Sequence, residues 1–136
     1  MAQSFFHQNL QFARTFTKKL NERLVEIGLY HSQWQIVYYL HLFGAATLVE
    51  ISNYLHVEKP TITRTVDRLE KSQLIEKVPS KDKRERRIRL TEKGLRVFRE
   101  AQNVVDEFER HLLEGIPDSD RETTSRTLQR LKEKLC

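Results

Sequence analysis

A mainly α-helical chain carrying one small β-hairpin, an α+β arrangement with helices at both ends, is the fold class this sequence predicts. Three observations carry it. Apolar residues recur at spacings of three and four along most of the 136 residues. Two short runs, LIEKVP (74–79) and RRIRL (86–90), break that rhythm as strands, the second alternating basic and apolar residues. Across the loop and second strand, residues 80–94 (SKDKRERRIRLTEKG) hold seven Lys or Arg against three acids.

Each element follows from local pattern. Phe6, Leu10, Ala13, Phe16, Leu20, Leu24 and Ile27 form one stripe, widened by Phe5 and Phe12, so residues 4–28 read as an amphipathic helix ended by Gly28. Ser32 can cap a second helix carrying Trp34, Val37 and Leu40, with Gly44 just beyond it. Thr47 and Glu50 stand at capping-box spacing and open a short third helix with Leu48, Ile51 and Leu55 inward. Pro60 suits the first turn of a fourth, whose buried line is Ile62, Val66 and Leu69. After the two strands, Thr91 caps a fifth helix that runs to about Gly115 through Leu95, Phe98, Val105, Phe108 and Leu112. Pro117 and a Ser119–Glu122 capping-box spacing start a sixth, with Leu128, Leu131 and Leu135 on one face. No internal repeat or low-complexity linker interrupts the chain, which predicts a single domain over 1–136. Its centre, about 33–90, is a helix-turn-helix followed by a β-hairpin, that is, a winged helix, flanked by helices at 4–28 and 95–136.

Composition narrows the function. Hydrophobic residues make up 38% and charged residues 32%, lean for one core and consistent with a partner that supplies more. No stretch approaches the ~20 apolar residues of a membrane span. The opening MAQSFFHQNLQFARTF lacks the basic flank and cleavage site of a signal peptide. The one cysteine, Cys136, excludes an intramolecular disulfide, so the cytoplasm is the expected compartment. The net charge of +5 is unevenly spread: +1 over residues 1–52, +7 over 53–99 and −3 over 100–136. A positive field confined to the middle third suits a polyanion, most simply nucleic acid. Solubility is the bland alternative.

The fourth helix, KPTITRTVDRLEKS, turns Lys59, Thr61, Thr63, Arg64, Asp67 and Arg68 away from its apolar line. With Pro60 opening the helix, short hydroxyls near the N-terminus followed by arginines suit a major groove. There Arg meets guanine bidentately and Thr bonds or offers its methyl to thymine. The competing reading is an ordinary surface helix of mixed charge. On the hairpin, Asp82 and Arg84 share a face in extended chain, so the carboxylate can brace a guanidinium aimed at a minor groove. Lys83, Arg86 and Arg87 would collect phosphates. A solvated charged turn is the alternative here.

LHVEKPTITRTVDRLEKSQLIEK, followed by DKRERRIRLTEKG, resembles the MarR family of bacterial transcription regulators. The resemblance covers the winged-helix core well and the end helices in pattern only. The family's D-x-R wing motif falls on Asp82 and Arg84, and its L-T-x-x-G closure on Leu90, Thr91 and Gly94. Its recognition-helix pattern falls on Pro60, Thr61, Ile62, Thr63 and Arg64. Gln73 departs from the family, which commonly has Gly there. The resemblance implies a homodimer joined by its first and last helices that binds pseudo-palindromic operator DNA.

Dimerisation also follows from the residues: Phe5, Phe6, Phe12, Leu128, Leu131 and Leu135 exceed what a small winged helix can cover. Packing within one larger core is the other possibility. The five His are scattered without metal or triad partners, and no Gly-rich phosphate loop exists, so neither catalysis nor a metal or other cofactor is expected. Family members often hold a small-molecule effector between the dimerisation helices and the DNA-binding unit. Tyr30, His31, Trp34, Tyr38 and His41 are the candidates to line such a pocket, against the alternative that they pack the junction. The leading reading is a dimeric repressor specific for double-stranded DNA. A winged-helix protein-interaction module for an acidic partner and a non-specific DNA architectural protein stand as alternatives.

Overall fold

In the computed structural model, which describes residues 4–82 and 84–136, helices and short strands follow the expected order with one addition. The elements are α1 (Phe5–Val25), α2 (His31–Phe43), β1 (Ala46–Thr47), α3 (Leu48–Leu55), α4 (Lys59–Lys71), β2 (Ile75–Lys77), β3 (Arg87–Leu90), α5 (Glu92–Leu113) and α6 (Asp118–Leu135). Residues up to Val105 form one compact unit and Asp106–Cys136 another, with α5 contributing to both.

Helix starts are fixed by side chains that satisfy otherwise orphaned N–H groups. The Ser4 hydroxyl accepts from the His7 N–H at 3.1 Å and begins α1. At α3 the box is reciprocal, as the spacing implied: Thr47 Oγ1 accepts from the Glu50 N–H at 3.2 Å and Glu50 Oε1 from the Thr47 N–H at 3.1 Å. Two caps differ from expectation. Ser32 lies inside α2, whose cap is Tyr30; the Tyr30 N–H is taken by Gln33 Oε1 at 3.0 Å and the His31 N–H by Asn21 Oδ1 of α1 at 2.8 Å. A tertiary acceptor displaced the local one. Ser119 likewise lies within α6, which Pro117 caps through its carbonyl, accepting from Asp120 and Arg121.

The two expected strands become three. Ala46–Thr47 pairs antiparallel with β3, so the sheet order is β1-β3-β2, with Ala46 opposite Ile88 and Glu76 opposite Arg89. Two residues are too few for an alternation pattern to register. Ile88 on the central strand is fully buried with Val37 of α2, Ile51 of α3 and Val66 and Leu69 of α4, so three helices and the sheet share one core. Between α3 and α4 the chain turns at His56, left-handed at φ +55°, and the Ser52 hydroxyl donates to the Val57 carbonyl at 2.6 Å. That tight turn sets the angle at which α4 leaves the core.

The corner leaving α4 and the corner entering α5 are joined. The Thr91 hydroxyl donates to the Gln73 carbonyl at 2.6 Å and accepts from the Gly94 N–H at 3.0 Å, while the Thr91 N–H donates to the Leu74 carbonyl at 3.0 Å. A Cβ at position 94 would lie 2.0 Å from the Leu74 carbonyl oxygen. Only glycine fits. Gln73, by contrast, holds φ +64° with a side chain attached, a conformation that suits Gly.

Two substitutions at this corner have opposite expected effects on the urea midpoint. Gly94→Ala forces backbone apart and should destabilise by about 1–3 kcal/mol. Gln73→Gly relieves a left-handed residue at some entropic loss and should stabilise by roughly 0.5–1 kcal/mol.

Candidate nucleic-acid interface

Helix α4 is amphipathic, and its burial decides what it shows. Ile62, Thr65, Val66 and Leu69 face the core, leaving Lys59, Arg64, Asp67 and Arg68 exposed and Thr61 and Thr63 half-buried at the rim. The Thr63 hydroxyl donates to the Lys59 carbonyl at 3.0 Å, which leaves its oxygen able to accept. Arg64 Nη2 donates to Thr61 Oγ1 at 3.2 Å, orienting the guanidinium along the helix face. Lys59 and Arg68 have no side-chain partner among the described residues.

The turn between β2 and β3 is organised by Asp82, though not in the expected way. Asp82 Oδ1 accepts from the backbone N–H of Arg84 at 3.0 Å, and Ser80 Oγ accepts from the Asp82 N–H at 3.2 Å. The carboxylate thus shapes the backbone two residues on, a local bond costing little chain entropy. It does not brace the Arg84 guanidinium, which stays exposed. Lys83 lies outside the described residues.

Arg86 and Arg87, expected among the phosphate collectors, are both engaged within the protein. Arg86 Nη2 lies 2.9 Å from Asp67 Oδ1 and 2.8 Å from Glu70 Oε1, both on α4. Burial lowers the Arg86 pKa, but the bonds to Glu70 and Asp67 outweigh it and hold it above its ordinary value. Arg87 Nε donates to Glu85 Oε1 at 3.0 Å, and Arg87 Nη2 lies 3.5 Å from Glu50 of α3. Arg89 pairs across the sheet with Glu76 at 3.2 Å. No local spacing signals the Arg86 contacts, because its partners stand 19 and 16 residues away.

The start of α4 and the base of the wing open onto one cleft of about 340 Å³. Lys59 and Thr63 of α4 and Arg84, Glu85 and Arg86 of the wing line it, with Thr47, Leu48 and Val49 at the junction of β1 and α3 as its other wall. Lys59 from the helix and Arg84 and Arg86 from the wing are thereby gathered on one concave side, together with Thr63 and Glu85.

The aromatic candidates divide. Trp34 stacks on Phe98 of α5 with ring centroids 5.5 Å apart, His41 lies 3.8 Å from the same ring, and Tyr38 joins at 6.4 Å. These three pack on Phe98, while Tyr30 is exposed at the cap of α2. His31 is half-buried, and burial lowers its pKa, favouring the neutral ring. It lines an open groove with Leu10, Arg14, Lys18 and Asn21, between α1 and the start of α2. The end-helix residues Phe5, Phe6, Phe12, Leu128 and Leu135 are exposed, from 44% at Leu128 to 88% at Leu135, and Leu131 is half-buried.

Glu50 joins the α3 cap to the wing and has a pH signature. Its bonds from the Thr47 backbone and hydroxyl, with Arg87 nearby, hold its pKa below the ordinary 4.5 against the opposing desolvation. A carboxylate depressed on folding contributes stability above its unfolded pKa and loses it as pH falls through the folded value. Below about pH 4.5 the wild type should therefore lose stability more steeply than Glu50→Gln, by chemical denaturation at stepped pH.

Residues 29–85 match the model of the MarR family. The chain is 41% identical over 119 residues to the uncharacterized HTH-type transcriptional regulator YwoH of Bacillus subtilis, covering 88% of this chain and 87% of that protein. It is 27% identical over 115 residues to the HTH-type transcriptional repressor IacR of Pseudomonas putida, covering 84% of this chain and 69% of that one. The protein chain in the crystal structure of the S. aureus MepR–DNA complex shares the fold at a TM-score of 0.87 with 20% identity, covering 99% of this chain and 100% of that one. Identity of 41% across most of YwoH, with the family match lying on the helix-turn-helix and wing, makes this chain a member of the MarR family of DNA-binding HTH-type transcriptional regulators.

Proposed function

We propose that the protein is a repressor that binds a pseudo-palindromic, double-stranded operator as a homodimer, with α4 in the major groove and the wing tip at the flanking minor groove. The observation that carries this reading is the cleft where Lys59 and Thr63 of α4 face Arg84 of the wing. Arg64, oriented by Thr61, is the candidate for guanine edges; Thr61 and Thr63 suit thymine or phosphate. Exposed Arg84 suits the narrow, strongly negative minor groove. With Arg86 and Arg87 engaged by carboxylates, phosphate contact falls to Lys59, Arg68, Lys81 and Arg84. Residues 33–90 act as the DNA-binding core, and 4–28 and 95–136 as dimerisation helices. The naming of IacR as a repressor and the occurrence of this fold in the MepR–DNA complex support the assignment.

A second copy covers the exposed rows at Phe5, Phe6, Phe12, Leu128, Leu131 and Leu135. A groove of about 510 Å³ with Leu113, Ile116 and Leu128 in its wall supplies a receiving surface in the C-terminal unit. Two recognition helices then meet half-sites roughly 34–36 Å apart. Release by a small-molecule effector belongs to the same reading. The groove at His31, with Arg14 and Lys18 beside it, suits an anionic molecule.

Titration against an operator palindrome and scrambled DNA of equal length tests the proposal. Specific binding should fall about 10³–10⁵-fold between 50 and 200 mM salt if on the order of 6–10 phosphates are neutralised. A flat profile with no palindrome preference would favour a protein-interaction module, and a micromolar monomer in sedimentation would remove the dimer. Arg64→Ala should cost roughly 1–3 kcal/mol and relax preference at particular base pairs. Arg84→Ala should instead blunt preference for A·T-rich flanks.

A further inference from the structure

We propose that Arg86 is a positioning residue: it struts the wing against the recognition helix by holding Asp67 and Glu70, and carries no DNA phosphate itself. Arg86 stands at the foot of β3, where the charged turn rejoins the sheet. Asp67 and Glu70 are three apart on α4, so they share the helix side nearest the wing. One guanidinium nitrogen reaches both carboxylates, at 2.9 and 2.8 Å, with about a third of the Arg86 side chain exposed.

Charge makes the arrangement purposeful. Asp67 lies on the same outward face as Arg64 and Arg68, where a bare carboxylate would repel phosphate. Arg86 neutralises part of that repulsion while fixing the separation of α4 from the wing foot. On the other side, Arg87 reaches Glu50 of α3, so the wing base is tied to both helices of the helix-turn-helix. The cations left for DNA are those of the turn and the α4 face. The strut thus sets the distance between two groove-reading elements, a quantity no residue at the DNA surface can set. Partly exposed ion pairs contribute little to global stability, so removing this one should leave the fold intact and loosen the wing.

The inference rests on the reading of α4 and the wing as the DNA-binding elements. Three variants test it: Arg86→Ala, the pair Asp67→Asn with Glu70→Gln, and all three changes together. Circular dichroism melts check the fold of each. Hydrogen exchange on the free proteins reads the wing strands, and operator titrations over a salt series read binding. A strut predicts that Arg86→Ala and the amide pair each accelerate exchange in β2 and β3 but not in α2. Each should lose about tenfold in affinity, with the triple variant losing no more than either. Simple charge predicts the opposite sign for the amide pair, which removes negative charge near DNA, so tighter binding by that pair, or unchanged binding without faster wing exchange, overturns the proposal. A drop in the salt slope for Arg86→Ala, by about 0.9 per protomer, would mark a phosphate contact and also overturn it. Accelerated wing exchange in both variants with operator affinity unchanged would overturn instead the assignment of the wing to DNA.

Discussion

The Leu74 carbonyl is the point at which the chain leaving α4 and the chain entering α5 are held against each other. It accepts from the Thr91 N–H at 3.0 Å, and Gly94 packs so close to it that no side chain fits between. The neighbouring Gln73 and Ser72 carbonyls accept from the Thr91 hydroxyl and from Lys93 Nζ at 2.6 and 2.9 Å. The first and last residues of the hairpin are thereby held together by bonds that do not involve the charged turn. A turn carrying so many like charges has little apolar surface to order it. Closing the hairpin at its base lets the tip remain polar and exposed without losing register, and Ile88, paired with Ala46 and Lys77, completes the sheet inside the core.

With the base closed, the basic segment resolves into two populations. Arg86, Arg87 and Arg89 all meet carboxylates, on α4, on α3 with Glu85, and across the sheet. Lys81 and Arg84 have no such ion pair among the described residues. The number of basic side chains over residues 53–99, taken without their acids, therefore overstates what is available to a polyanion, since several of them are engaged in tying the wing to the helices. Coulomb attraction alone would not distinguish these populations; geometry does. The arginines nearest the strand are within reach of fixed carboxylates, whereas Lys81 and Arg84 at the turn are exposed.

The parts of the fold legible in the sequence were those set by contacts within about four residues. The stripe from Leu20 to Leu24, the Thr47–Glu50 box, Pro60 in the first turn of α4 and the Arg87/Ile88 alternation all belong to that class. What escaped depended on partners far along the chain. Asn21 caps α2 from ten residues away, β1 exists only because β3 lies beside it, and Arg86 finds Asp67 and Glu70 through the tertiary fold. Asp82 shows a subtler limit: the spacing to Arg84 was seen, but it could not say whether backbone or guanidinium would receive the carboxylate. For the aromatic candidates, the sequence leaves open whether Trp34, Tyr38 and His41 line a pocket or pack the junction. The ring that all three meet, Phe98, is contributed from α5 far along the chain.

The distribution of apolar burial bears on why the proposed regulator would work as a pair. Fully buried side chains lie between Leu20 and Val105, whereas Phe6, Phe12 and Leu135 are 60%, 63% and 88% exposed. In a 38% hydrophobic chain, these exposed aromatic and leucine side chains are apolar surface that the proposed second copy would cover. Covering those rows with a second copy would remove apolar area from water at roughly 25 cal/mol per Å², which makes folding stability and protomer concentration interdependent. In the proposed dimer the rows that meet a like partner lie on α1 and α6, and the surface that meets a polyanion lies on α4 and the wing. On that reading the two surfaces differ in chemistry, apolar on α1 and α6 and cationic on α4 and the wing, so neither could substitute for the other.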